Sequence, residues 1–181
     1  CDGRNFLTLA PAQDHKRAFD GDKGKNTGGM GAFAPAAIVT EEILKKVKEK
    51  IIAPTLAGMA EEGAPFIGCL FVGLMIDNGE PSVVEFNCRF GDPETQAVLS
   101  VTEGDFADLF FSAALGLLHP GAITNIYNGY ACNVVLASGG YPDTYKTGYS
   151  ITGISDAEET GVTVFHAGTK IENSSLVTNG G

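Results

Sequence analysis

Cationic side chains are scarce in this sequence: 12 Lys and Arg stand against 22 Asp and Glu, for a formal net charge of −10 over 181 residues. That balance argues against a general surface for nucleic acid or anionic membrane, while leaving room for a local cationic pocket for phosphates. No apolar run approaches the length of a membrane span, and the opening Cys1-Asp2-Gly3-Arg4 is no signal peptide. Cys1, Cys69, Cys88 and Cys132 lack any paired spacing and read as reduced thiols of a cytoplasmic protein. His15, His119 and His166 are too dispersed to suggest a zinc site. There is no internal repeat. The glycine cluster at Gly28-Gly29 is not followed by Gly-Lys-Ser/Thr, so it is no P-loop. What is present is 44% hydrophobic residues, enough to bury a core in one large domain or one and a half.

In chain order, Asn5 to Ala10 reads as a strand that stops at Pro11. Ala12 to Ala34 reads as a long loop, basic through Lys16, Arg17, Lys23 and Lys25. Within it, Asn26-Thr27-Gly28-Gly29-Met30-Gly31 has no blocking side chain at three positions, so its backbone N–H groups can approach an anion; an ordinary flexible turn is the alternative. Thr40 reads as the cap of a helix whose buried stripe is Ile43, Val47 and Ile51, broadened by Leu44 and Ile52. Lys45, Lys46, Lys48 and Lys50 fall on other faces and read as solvated surface. Pro54 should kink or divide this helix, and Gly63 should end it. Phe66 to Ile76 has strand character. Asp77-Asn78-Gly79 then supplies a hairpin turn, and Pro81 to Asn87 is the returning strand. This antiparallel hairpin disfavours a Rossmann βαβ unit. A short helix is expected over Glu94 to Val101. A second, about Asp105 to Leu118, should bury Phe106, Leu109, Phe110, Ala113 and Leu117. Asn125 to Asn128 reads as connector, followed by strands at Ala131–Ala137, Tyr149–Ile151 and Val162–His166. The expected domain boundary lies near 120–128.

The densest chemistry is Glu85-Phe86-Asn87-Cys88-Arg89-Phe90-Gly91-Asp92-Pro93-Glu94-Thr95-Gln96. On a strand, Val83, Glu85 and Asn87 share one face, and Ser82, Val84 and Phe86 the other. Glu85 and Asn87 then lie roughly 6.5–7 Å apart, pointing the same way. Two oxygen donors so placed can hold one or two Mg²⁺ ions, with water and substrate phosphates completing the shells. The plainer reading is a wet polar face. Asp92 suits a helix N-cap, Pro93 the first helical position and Glu94 the positive end of the dipole. Arg89 can clamp a phosphate bidentately or form a surface ion pair.

Glu85-Phe-Asn-Cys-Arg-Phe-Gly-Asp-Pro-Glu-Thr-Gln closely resembles the signature of the glycinamide ribonucleotide synthetase (phosphoribosylamine–glycine ligase) family, ATP-grasp enzymes of purine biosynthesis. Two further blocks match in order and approximate spacing. One runs from Gln13-Asp14-His15-Lys16-Arg17 to Asn26-Thr27-Gly28-Gly29-Met30-Gly31-Ala32. The other is Val164-Phe165-His166-Ala167-Gly168-Thr169 with Val177-Thr178-Asn179-Gly180-Gly181. The resemblance covers nearly the whole chain.

It implies an α+β fold: residues 1–122 form the C-terminal part of an ATP-grasp core, an antiparallel sheet with helices, and 123–181 begin a small, incomplete β-rich C-terminal domain. It implies a C–N ligase in which ATP phosphorylates the glycine carboxylate and the amine of 5-phosphoribosylamine attacks the glycyl phosphate. ATP is then the co-substrate and Mg²⁺, or Mn²⁺, the metal. Neither nucleic acid nor membrane is an expected partner, and oligomeric state is open. The site residues implied are Glu85 and Asn87 for metal, Arg89 for phosphate charge and Asp92 for the glycine ammonium. Lys16, Arg17, Asn26, Thr27, Gly28, Gly29, Gly31, Asp92, Pro93 and Glu94 form the substrate- and phosphate-binding set. Beside the family's enzyme the chain reads as a fragment, lacking the upstream lobe that clamps ATP, and is expected to be inactive alone. Two departures stand out: Lys25 where the family usually has Pro, and Ser100-Val101 in place of a commoner Leu-Pro. The alternatives are an ATP-grasp carboxylate–amine ligase with another acceptor, and a non-catalytic scaffold fragment.

Overall fold

A computed structural model describes residues 1–181. Its elements run β1 (Gln13–Asp14), β2 (Arg17–Phe19), β3 (Lys23–Asn26), β4 (Gly31–Ala34), α1 (Glu41–Val47), a π-helical turn (Lys48–Ile52), α2 (Ala53–Glu61), β5 (Phe71–Asp77) and β6 (Glu80–Asn87). There follow α3 (Glu94–Ser100), β7 (Thr102–Gly104), α4 (Phe106–Ala114), a 3₁₀ turn (Pro120–Ala122), β8 (Ile123–Ile126), β9 (Ala131–Val134), α5 (Ile154–Glu159), β10 (Thr169–Glu172) and β11 (Ser175–Thr178). Every strand ladder is antiparallel, which with the helices makes the fold α+β. The chain divides into two compact units: residues 1–15 with 31–134, and residues 16–30 with 135–181.

In the first unit, Thr40 accepts the Ile43 N–H at 3.3 Å and caps α1, with Glu41 and Glu42 in the first turn. The stripe Ile43, Val47, Ile51, Ile52 and Leu56 is buried, with Val72, Leu74 and Ile76 of β5 packed against it. Each such aliphatic side chain contributes about 2 kcal/mol on burial. Pro54 has no N–H to give the carbonyl four residues back and its ring crowds that carbonyl. The chain answers with the π turn just before it, in which Ala53 N–H reaches Lys48 O. Gly63, at φ +78°, closes α2: its N–H meets Ala60 O and Ala64 N–H meets Met59 O, both helix-ending bonds of a left-handed cap. Of the lysines expected on the surface, Lys45 and Lys50 are exposed, while Lys46 and Lys48 are half-buried, and Lys46 makes the densest contacts. It reaches Glu80 at 2.6 Å, Glu42 at 3.3 Å and Gly79 O at 3.0 Å, tying α1 to the β5–β6 turn. Glu80, then Glu42, hold its ammonium above the ordinary lysine range.

A three-stranded sheet in the order β1-β4-β9 lies in the same unit. A second small core of Ala10, Ala34, Ala97, Val98 and Val101 joins it to α3. In the second unit β2 and β3 form one hairpin and β10 and β11 another. The latter turns at Asn173-Ser174, both at positive φ.

Several expectations are corrected here. Residues 5–10 form no strand. Phe6, Leu9 and Ala10 are held by side-chain packing alone, and the nearest bridge is Asp2 to Ile67. An apolar run reports burial, not a backbone partner. Residues 12–34 are four short strands rather than a loop: Gly21 and Asp22, at φ +71° and +57°, turn β2 back onto β3. β5 begins at Phe71, not Phe66. α4 stops at Ala114 because Gly116, at φ +73°, sends its N–H to Ala113 O and the Leu117 N–H to Ser112 O. Leu117 thus falls beyond the helix and is exposed; Phe110, within it, is exposed as well, its ring meeting those of Phe90 and Phe106, while Ser112 is buried and donates to Leu109 O at 3.0 Å. Asn125 and Ile126, in the stretch expected as connector, instead belong to β8 and pair with β7. The strand from Ala131 ends at Val134, and neither 149–151 nor 162–166 is a strand.

Candidate functional site

The β5–β6 hairpin turns at Asn78-Gly79, both at positive φ, and sets Glu85 opposite Gly73 and Asn87 opposite Phe71. Glu85 and Asn87 therefore share a face. The rest of the expected alternation fails. The register shifts between Gly73 and Leu74, leaving Val84 as an extra residue in β6. Val83 thus pairs with Leu74 and lies with Phe86 on the core side, while Ser82 lies with Glu85 and Asn87. A one-residue bulge inverts every side chain beyond it. Gly73 is what gives Glu85 its place: a Cβ there would come within 2.9 Å of Glu85 Cγ. A glycine inside an otherwise apolar strand is a sign of such close approach, and on that sign Gly73 was readable from sequence.

Beyond β6 the chain turns sharply. Arg89 is exposed, and its guanidinium donates to Phe90 O at 2.8 Å. Gly91 is buried because a Cβ would meet Glu94 Oε2 at 2.5 Å and Phe71 Cε2 at 2.6 Å. Asp92 is exposed and is not the helix cap; Pro93 occupies the cap position of α3 with no side-chain bond, one residue later than expected. The cap is displaced because the turn is held by other groups. Thr95 Oγ donates to Gly91 O, and Asn133 Nδ2 of β9 donates to Pro93 O at 3.3 Å. Pro93 and Glu94 are both buried. Asn133 carried no sequence signal, since it comes from a strand 40 residues away. Gly31 begins β4 where a Cβ would stand 2.6 Å from Asn133 O.

The remaining predicted residues belong to the second unit. Thr27 Oγ donates to Lys16 O at 2.9 Å and accepts the Gly29 N–H at 3.0 Å. Gly28 N–H donates to Tyr141 Oη at 3.0 Å. At two of the three glycines expected to open the backbone to an anion, Gly28 and Gly29, the N–H is thus engaged by a hydroxyl. Arg17 donates to Gly24 O at 2.6 Å, which leaves other guanidinium donors. Lys16 and Asn26 are exposed.

No three His, Cys, Asp or Glu side chains gather as a metal cluster. The donors on offer are one carboxylate and one amide oxygen on a shared face. That set suits a hard cation that keeps water and phosphate oxygens in its shell, as Mg²⁺ does.

Against known proteins, the model of the phosphoribosylglycinamide synthetase ATP-grasp (A) domain matches residues 1–95, over half of the chain. The chain belongs to the phosphoribosylglycinamide synthetase family. The same family's C domain matches residues 131–181. The phosphoribosylamine–glycine ligase of Chlorobaculum tepidum is 51% identical over 183 residues, covering 99% of this chain and 42% of the ligase. The human trifunctional purine biosynthetic protein adenosine-3 is 45% identical, over 99% of this chain and 18% of that protein. The crystal structure of the Thermotoga maritima phosphoribosylamine–glycine ligase superposes with a TM-score of 0.84 at 35% identity, over all of this chain and 44% of that one. The chain therefore spans about two fifths of the single-function synthetases it matches. No helix is long and apolar enough to cross a membrane.

Proposed function

We propose that this chain contributes to an ATP-dependent ligase that joins glycine to 5-phosphoribosylamine through a glycyl phosphate, a step of de novo purine biosynthesis in the cytoplasm. The observation that carries this is the shared face of Glu85 and Asn87, with Glu85 laid over Gly73, in a chain of the phosphoribosylglycinamide synthetase family. Residues 1–122 then belong to the catalytic core and 123–181 to the small C-terminal domain.

In the first unit Glu85 and Asn87 are the ligands for Mg²⁺ or Mn²⁺. Such an ion, when bound, would neutralise charge on the nucleotide phosphates. Asn87 supplies a neutral oxygen, so no second carboxylate is set against the ATP anion. Arg89 stabilises charge on the transferred phosphoryl group. Its present partner is a neutral carbonyl, and a phosphate makes the stronger, charge-assisted bonds. Buried Pro93 and Glu94 hold the turn that presents Asp92, whose carboxylate accepts from the glycine ammonium. In the second unit Lys16 and Arg17 meet the phosphate of 5-phosphoribosylamine. Asn26 and Thr27 flank it, on the loop that Gly28, Gly29 and Gly31 shape.

Because Asp92 caps no helix, its charge is separable from stability. Asp92→Asn should raise the glycine KM about tenfold with an unchanged melting temperature. A lowered melting temperature with normal glycine saturation would assign Asp92 to structure.

The whole reading is tested by joining this chain to the upstream part of the Chlorobaculum tepidum ligase and assaying ADP release that depends on both glycine and 5-phosphoribosylamine. The joined protein should turn over, and the 181-residue chain alone should fall about five orders of magnitude short. Positioning lost from the far side of a nucleotide removes ~7 kcal/mol or more of barrier reduction. ADP release with another amine but not 5-phosphoribosylamine would favour a different acceptor. No release from the joined protein would favour a scaffold.

A further inference from the structure

The glycine-rich segment 24–29 has few apolar holds. Lys23 to Asn26 are all exposed. A cleft of about 450 Å³ lies between the β2–β3 hairpin, at Ala18, Phe19 and Lys25, and the turn at Tyr141, Pro142 and Asp143. Hydrophobic packing across an open cleft of that size cannot hold the hairpin and its loop against the facing turn, so that placement falls to the polar contacts at the rim. Two such contacts cross within this unit, both to the double turn at 138–143. Gly28 N–H donates to Tyr141 Oη at 3.0 Å, and the Lys25 ammonium pairs with the Asp143 carboxylate. Other bonds hold the segment to β2: Arg17 pairs with Asn26 and donates to Gly24 O, and the Thr27 N–H and hydroxyl both reach Lys16 O, while beyond it Val135 N–H meets Met30 O.

The Tyr141 side is built to stay put. Its ring stands 6.1 Å from that of Tyr145 in a tilted pair. The turn itself is closed by Tyr141 N–H to Ser138 O at 3.0 Å and Asp143 N–H to Gly140 O at 2.9 Å. The fit at Gly28 is close, since a Cβ there would lie 3.3 Å from Tyr141 Oη. The two contacts differ in strength. The Lys25 and Asp143 side chains are 69% and 61% exposed, and an ion pair so wet contributes little. The Gly28–Tyr141 bond is exposed too, but its acceptor sits on a ring paired with Tyr145 and on a turn closed by its own backbone bonds, so Tyr141 leads, with Asp143 in support.

We propose that Tyr141, assisted by Asp143, is a positioning residue that holds the glycine-rich loop, and through it Lys16 and Arg17, in place for the phosphate of the substrate; this rests on the substrate role given to that loop above. The Gly28 amide is then a structural donor rather than an anion ligand. The phosphate is met by side chains carried on the loop.

Tyr141→Phe keeps the ring and its contact with Tyr145 while deleting the acceptor. Hydrogen exchange on the 181-residue chain should show the Gly28 amide opening roughly three- to tenfold faster, with neighbouring amides following. In the protein joined to the upstream Chlorobaculum tepidum segment, the KM for 5-phosphoribosylamine should rise by a similar factor, while kcat and the KM values for ATP and glycine stay near normal. Asp143→Lys should add to the defect, and Lys25→Asp in the same protein should restore it. Unchanged exchange at Gly28 overturns the latch itself. Faster exchange with an unchanged KM for 5-phosphoribosylamine overturns the positioning role by removing the loop from the substrate, the reading on which it rests.

Discussion

Glu85→Gln should lower the turnover of the joined protein roughly a thousandfold without shifting its melting temperature. Glutamine fills the same volume over Gly73, so neither the hairpin register nor the bulge at Val84 is disturbed. What is lost is the negative charge beside Asn87. Removing a charged or dipolar group aimed at transferring charge typically costs about 3–4 kcal/mol, or two to three decades in rate. The loss should be partly recovered at high Mg²⁺, because Asn87 and the nucleotide still offer oxygens. A Mg²⁺ titration on both proteins reads this directly. An unchanged rate at every Mg²⁺ concentration would remove the metal assignment and leave Glu85 on an ordinary wet face. A large fall in melting temperature would instead mark Glu85 as structural.

Asp2→Ala should destabilise the chain by about 3 kcal/mol, a fall of roughly 6–12 °C in Tm for a protein of this size. Asp2 is buried, and its carboxylate accepts N–H bonds from Arg4 at 2.9 Å, Asn5 at 2.7 Å and Leu118 at 3.0 Å, with Asn5 Nδ2 at 3.2 Å. Alanine leaves those donors without a partner, and the Leu118 bond ties together segments 116 residues apart. Burial works against the charged form, but the Asn5, Arg4 and Leu118 donors outweigh it and hold the carboxyl well below its ordinary value of 3.8. A carboxyl depressed in the folded state stabilises fully above its unfolded value. That contribution is lost as pH falls through the folded one. The wild-type chain should therefore lose stability progressively below about pH 4, and Asp2→Asn should lack that component of the acid slope. Thermal melts at pH 7 and between pH 2 and 5 test both statements. A Tm change under about 1 °C for Asp2→Ala would show that water replaces the carboxylate at no cost.

Local chemistry was legible in the residues themselves. Thr40 with Glu41 and Glu42, the four-residue repeat of Ile43, Val47 and Ile51, Gly63 as a helix end, and Asn78-Gly79 between two apolar runs all act within one turn of the chain. Their physics is complete without the rest of the fold. The antiparallel hairpin, and with it the pairing of Glu85 and Asn87 on one face, followed from that turn. So did family membership, because the motif around Glu85 to Gln96 is itself a local string of residues. What the sequence could not disclose depends on groups that meet only after folding. The bulge at Val84, beside the close approach of Gly73 and Glu85 across the ladder, sends Val83 to the opposite face. Asp92 yields the cap position to Pro93 because Asn133, on a strand 40 residues further on, holds the turn. Leu117 is apolar yet exposed, since Gly116 ends the helix before it. Asp2 looks like an ordinary charged residue until the Leu118 amide arrives beside it. Tyr141 and Asp143 carry no motif at all, and their bond to the glycine-rich loop arises because residues more than 110 positions apart fold into one unit. Sequence specifies which groups each short segment offers; only the tertiary structure decides which donor meets which acceptor, because those distances are set by the packing of distant segments.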